Sequence, residues 1–167
     1  MKEMNSEYIL EAIDREFPEA ILDASETHGM LTIEIKKDEI KKVIHFLKVS
    51  SLNFHFLTDV CGIHYPDNKE KELGVIYHLH NMVENVRIRL KTFMTREGAE
   101  VESLVDLFAG ANWMERETYD FFGIKFTGHP DLRVILNMPD LGYHPLLKEY
   151  RLEDGTRTDK NDLMFGR

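Results

Sequence analysis

The chain has 167 residues, 43% of them hydrophobic and 31% charged, which is enough for one domain with a proper core and too few for two comfortable ones. Its net charge of −9 excludes the basic surface that nucleic acid requires, and its single cysteine, Cys61, excludes an internal disulfide, a Cys-rich zinc site and a self-held iron–sulfur cluster. No apolar run approaches the roughly 18 residues of a membrane span, and no signal-peptide core follows the N-terminus, so the sequence predicts a cytoplasmic protein that reaches a membrane only through partners.

Ser6 is placed to cap a first helix, whose apolar positions Ile9, Ala12, Ile13 and Phe17 recur at helical spacing until Pro18 closes it. Residues 21–35 read as a hairpin turning near Thr27-His28-Gly29, with Leu31, Ile33 and Ile35 alternating against Thr32, Glu34 and Lys36. Asp38 then opens a second helix carrying Ile40, Val43, Ile44 and Leu47 on one side. Three strands are predicted over 54–65, 73–80 and 86–91, the last with Arg87, Arg89 and Lys91 on one face. A helix is predicted over 102–108 and another over 112–122, stopped by Gly123. The fold class is therefore α+β: an antiparallel sheet of four to five strands with helices on one face, followed by an extended, irregular C-terminal tail.

The division falls at 1–123 for the α+β domain and 124–167 for the tail. Residues 124–167 carry seven basic and seven acidic residues, so the whole net charge sits on 1–123. From Ile124 onward periodicity gives way to Gly128, Pro130, Pro139, Gly142, Pro145 and Gly155, yet Phe126, Leu132, Val134, Ile135, Leu136, Leu146, Leu147 and Tyr150 keep the segment apolar. Long irregular segments inside compact domains are uncommon, and one this apolar does not stay dissolved. Either it lies extended across another protein, burying its apolar side chains there, or it folds back on its own sheet.

Glu115, Arg116, Glu117 and Asp120 crowd one predicted helix among Trp113, Tyr119, Phe121 and Phe122. Arg116 and Asp120, four apart, can pair on one face. A structural ion-pair knot fits such crowded charges better than a catalytic carboxylate pair. His78 and His80 share a strand face and could ligate zinc, with His55 or His64 from a neighbouring strand; hydrogen-bonded histidines on a polar sheet face are the blander reading. No G-x-G-x-x-G, Walker-type loop or nucleophile elbow is present.

The stretch Glu115-Arg116-Glu117-Thr118-Tyr119-Asp120-Phe121-Phe122-Gly123-Ile124-Lys125-Phe126, followed by Gly128-His129-Pro130-Asp131-Leu132-Arg133, resembles the signature of the 30 kDa-type (C) subunit family of respiratory complex I. Gly142-Tyr143-His144-Pro145-Leu146-Leu147-Lys148-Glu149-Tyr150 resembles that family's next segment. Val134 and Leu147 stand where the family usually carries arginines, and His144 is an added residue. The resemblance implies a non-catalytic peripheral-arm subunit of the proton-pumping NADH:quinone oxidoreductase, on the cytoplasmic side of the bacterial inner membrane. It implies no catalytic residue, cofactor or metal on this chain, with FMN and the Fe-S clusters on other subunits. It further implies that 124–167 wraps the D subunit, which with the B subunit frames the quinone site. The docking residues so implied are Glu115, Arg116, Glu117, Asp120, Phe122, Gly123, Phe126, Gly128, His129, Pro130, Asp131, Leu132, Arg133, Gly142, Pro145, Lys148 and Tyr150, with Gly128 and Gly142 permitting close backbone approach. The competing expectations are the equivalent subunit of a membrane-bound hydrogenase-type complex, and an independent metalloenzyme built on His78, His80 and nearby carboxylates.

Overall fold

A computed structural model describes residues 4–151. Helix α1 spans Ser6–Glu16, and its cap is Asn5 rather than Ser6: the Asn5 side chain accepts the Tyr8 amide, leaving Ser6 as the first helical residue. Strands β1 (Ile21–Thr27) and β2 (Met30–Ile35) form the expected hairpin, with His28 and Gly29 both at positive φ (55° and 71°), the backbone a tight two-residue turn demands. Helix α2 (Ile40–Val49) buries Ile40, Val43, Ile44 and Leu47, the stripe its sequence period marks. Strands β3 (Phe56–His64), β4 (Leu73–Asn81) and β5 (Val86–Met94) follow, then a short β6 (Glu100–Glu102), helix α3 (Ala111–Phe122) and β7 (Lys125–Thr127).

The main sheet has five strands in the order β1-β2-β5-β4-β3 and is antiparallel except where β2 meets β5 in parallel. One face of it is uniformly apolar: Leu31 and Ile33, Leu79 and Tyr77, Ile88 and Leu90, Leu57 and Val60 stand in register and are buried in one core with Ile9, Ile13, Ile40, Ile44 and Leu47 of the helices. The other face carries the polar residues that alternate with these, as the two-residue period of a strand requires. There Glu34 is held between Lys71 and Lys91, and Arg89 donates to His78 Nε2 at 2.9 Å.

One expectation changes. Residues 102–108 form no helix. Glu102 ends β6, and beyond it the chain makes a single turn in which the Leu107 and Phe108 amides both reach the Leu104 carbonyl. The reason is tertiary: the Ser103 amide is taken by the Thr127 carbonyl, and Glu115 holds both the Ser103 hydroxyl and the Leu104 amide, so this backbone cannot wind further. Parts of the segment after Gly123 join the body of the domain. Strand β7 pairs in parallel with β6, and Ile124, Phe126 and Leu147 belong to the same core as the sheet.

Candidate docking site

Helix α3 organises the surface. Its C-terminus leaves backbone carbonyls without helical partners, and the chain that follows supplies donors to three of them. Gly123, left-handed at φ 78°, donates to Tyr119; His144 Nδ1–H donates to Asp120 at 2.9 Å; the Leu146 amide donates to Phe121 at 3.1 Å. His144 is thus part of the helix cap, and its ring packs edge-on against Tyr119. No sequence rule points to that role, because the helix end and the histidine are joined only by the fold.

The charged cluster does not form the expected ion-pair knot. Asp120 Oδ2 accepts the backbone amides of Ile135, Leu136 and Asn137 at 2.8–3.0 Å, and Oδ1 accepts the Asn137 side chain. Burial alone would raise the Asp120 pKa, but these four donors outweigh it and hold it down to about 2. Arg116, buried and stacked over Trp113 at 5.4 Å, donates to the carbonyls of Arg133 and Val134 rather than to Asp120. The two ends of α3's charged face therefore grip opposite polarities of one loop, through its main chain. At Val134 the contact is made by the main-chain carbonyl, so it does not depend on the side chain there.

Glu115 lies inside the core, its carboxyl bonded to Ser103 Oγ and the Leu104 amide, both at 2.6 Å. Burial pushes its pKa up to about 7 against those two bonds. An acid whose folded pKa lies above its unfolded value contributes stability that is full below about pH 4.5 and lost as pH rises through 7. Glu115→Gln, which mimics the protonated carboxyl, is expected to remove that downward slope between about pH 4.5 and 7; parallel urea titrations of both chains measure it. Tyr77, fully buried nearby and with no hydroxyl partner among the described residues, has its pKa raised by burial and by Glu115.

The remaining residues are placed as follows. His129 is pinned by its Nε2 on the Asn112 carbonyl and by the Asp131 amide on its Nδ1. Arg133 is exposed and pairs with Asp131 at 2.9 Å. Phe126 is buried in the core, Leu132 packs against it, and Phe122 lies across Gly62. Gly128 and Gly142 stand at φ 82° and 74°, a conformation that disfavours a side chain. Pro130 is exposed and Pro145 half-buried. Lys148 acts through its backbone, which donates to His64 Nδ1 at 2.9 Å, so His64 must carry its proton on Nε2 and give it to Glu72. Beside it, Arg96 grips Glu149 with two bonds of 2.7 and 2.8 Å. Tyr150 packs on Tyr143 at 4.5 Å. Glu117 is exposed and meets no hydrogen-bond or ion-pair partner among the described residues. His64, Arg96 and Asn137 carry no sequence mark as anchors, since nothing local joins them to the motif.

What this packing leaves outside is apolar. Leu136 and Met138 are 65% and 66% exposed, Tyr143, Leu146 and Tyr150 follow them in the same segment, and Trp113 is exposed on α3. Side chains of this kind on a tightly bonded backbone mark an interaction surface. On the sheet's polar face, His78 and His80 are each engaged elsewhere, with Arg89 and with Asn85, and burial followed by Arg89 pushes the His78 pKa down. Among the described residues no three His, Cys, Asp or Glu side chains are grouped to hold a metal, and no helix is long and apolar enough to cross a membrane.

Known proteins are similar in both sequence and fold. The family described as respiratory-chain NADH dehydrogenase, 30 Kd subunit, matches residues 33–156. The C subunit of NADH-quinone oxidoreductase from Xanthobacter autotrophicus is 46% identical over 132 residues, covering 78% of this chain and 62% of that one, so the present chain spans less than two thirds of that relative's length. The C subunit from Geobacter metallireducens is 36% identical, covering 82% and 84%. Among solved structures, the trypsin-resistant fragment (1-134) of Nqo5 superposes with a TM-score of 0.65 at 28% identity, over 75% of this chain and 98% of that one. One chain of an archaeal respiratory membrane complex, the membrane-bound sulfane sulfur reductase, does so at 0.72 and 25% identity, over 87% and 85%. With a family match over most of its length and relatives of one kind above 30% identity, the chain belongs to the 30 Kd subunit family of respiratory-chain NADH dehydrogenase, the family of the C subunit of complex I.

Proposed function

We propose that this chain is a non-catalytic, peripheral-arm subunit of an NADH:quinone oxidoreductase, docking through α3 and residues 124–167 onto the D subunit beside the B subunit, near the quinone site and on the cytoplasmic side of the membrane. The observation that carries the reading is the row of exposed apolar side chains, Leu136, Met138, Tyr143 and Leu146, on a loop whose backbone is fixed by Asp120, Arg116 and His144. A surface already ordered before binding loses little conformational entropy on docking. The expected docking role of 152–167 lies outside the described residues. In this reading FMN and the iron–sulfur clusters belong to other subunits, and one half-buried cysteine gives this chain no means of holding a cluster by itself.

The likeness to the sulfane sulfur reductase chain supports a second reading, the equivalent place in another respiratory membrane complex, of which a hydrogenase-type assembly is one case. Purification from native membranes in mild detergent through a tag on this chain separates the two. Recovery of flavin- and cluster-bearing NADH dehydrogenase subunits, the D and B subunits among them, is the expected result. Recovery of nickel–iron hydrogenase or sulfur reductase subunits instead overturns it in favour of the second reading, and stoichiometric metal on a partnerless chain would revive the metalloenzyme.

A further inference from the structure

A cleft of about 220 Å³ opens between the edge strand β3 and the C-terminal half of α3. Its walls are the rings of Phe121 and Phe122 and the Leu146 side chain, the last 42% exposed, and Cys61 lies at its floor. Asp59 and Glu117 stand at its rim. Among the described residues neither carboxylate is paired with a lysine or arginine: Glu117 has no partner, and Asp59 meets the Cys61 thiol and, at 3.8 Å, His78, an imidazole whose Nε2 accepts a bond from Arg89. Among the described residues no lysine or arginine lines the cleft. The negative charge is felt at the floor. Burial first, then Asp59, then more weakly Glu117, push the Cys61 thiol up to about 11, against a smaller opposing pull from Arg89.

We propose that this cleft receives one arginine side chain of a partner protein, its guanidinium set between Asp59 and Glu117 and its face laid on the phenylalanine rings. This rests on the docking reading above and names what binds at one point of that surface. Apolar walls alone would suit any hydrophobic residue, but two carboxylates at the rim with no lysine or arginine on them among the described residues penalise an apolar occupant by desolvation. A cation is needed, and of the two cationic side chains the guanidinium is the flatter and more weakly hydrated, stacks on aromatic faces and bonds a carboxylate with two parallel donors. The cleft is continuous with the exposed apolar row through Leu146, so an occupant would come from the same partner.

Cys61, the only cysteine, reports occupancy. The tagged complex and the isolated full chain are treated with a maleimide at pH 8, and modification of Cys61 is followed by mass spectrometry. Loss of Cys61 reactivity in the complex is expected, and equal reactivity in both overturns the assignment while leaving the docking reading intact. The doubly neutral chain Asp59→Asn/Glu117→Gln, co-expressed with wild type, should be under-represented in the purified complex roughly tenfold or more. Equal or better incorporation means that an apolar residue, not arginine, fills the cleft. The isolated variant must melt with the wild-type chain, which separates lost binding from lost folding. If no redox subunit copurifies at all, both the docking reading and the cleft assignment fall.

Discussion

Asp120→Ala is expected to destabilise the chain by about 3 kcal/mol or more, because it strands three backbone amides and a side-chain amide that one carboxylate now satisfies, and bonds to a charged acceptor are worth about 1.5–3 kcal/mol each without adding fully. A lower urea midpoint with an unchanged slope measures it. Asp120→Asn keeps an acceptor oxygen but turns an NH2 group towards donors, so it should fall between. The pH dependence has a definite sign. With the carboxyl held down to about 2, below its ordinary 3.8, its contribution is complete above pH 4 and lost as pH falls towards 2. The Asn variant should therefore lack the acid limb that wild type shows there. Since the released amides belong to the loop presenting Leu136 and Met138, the same substitution should also lower incorporation into the complex. Full assembly of a destabilised Asp120→Ala chain would sink the view that this loop must be preset to dock.

Gly123→Ala carries the next largest effect. A side chain at φ 78° costs roughly 1–2 kcal/mol by itself. The added Cβ would also stand 2.6 Å from His144 Cδ2, forcing the ring away from the Asp120 carbonyl it caps. Together these should lower Tm by about 5–10 °C for a chain of this size. The two causes separate in a double-mutant cycle with His144→Ala. If the clash matters, Gly123→Ala will cost less in the His144→Ala background; additivity would leave only the backbone conformation.

Much of the fold is legible from periodicity. The alternation of Leu31, Ile33 and Ile35 and the helical stripe of Ile40, Val43, Ile44 and Leu47 each mark the side that faces the apolar core, although Thr32 and Glu34 on the other side of the strand are covered as well. Gly123 marks the end of α3 because its left-handed conformation is a local matter. The failures are tertiary. Residues 102–108 have a helix-like pattern, but Glu115 and Thr127 claim the backbone there. The charged motif is recognisable in the sequence, and its grammar is not. Arg116–Asp120 spacing suggests a mutual pair, whereas each group reaches main-chain atoms some 17 residues away, a relation no helical spacing encodes. Likewise Lys148 and Tyr150 stand out as side chains, while the anchor at that point is a backbone amide on His64.

The parallel contact between β2 and β5 has a consequence for how the chain is made. Leu31 lies opposite Ile88, 57 positions later, whereas β1 with β2 and β4 with β5 are joined by short turns. Each hairpin can therefore close early, but joining them requires one long loop to be brought together, a slow event in folding. During synthesis β2 leaves the ribosome well before its inner neighbour exists, and the row of unpaired amides and carbonyls beside Ile33 stays open to any other extended chain until β5 arrives.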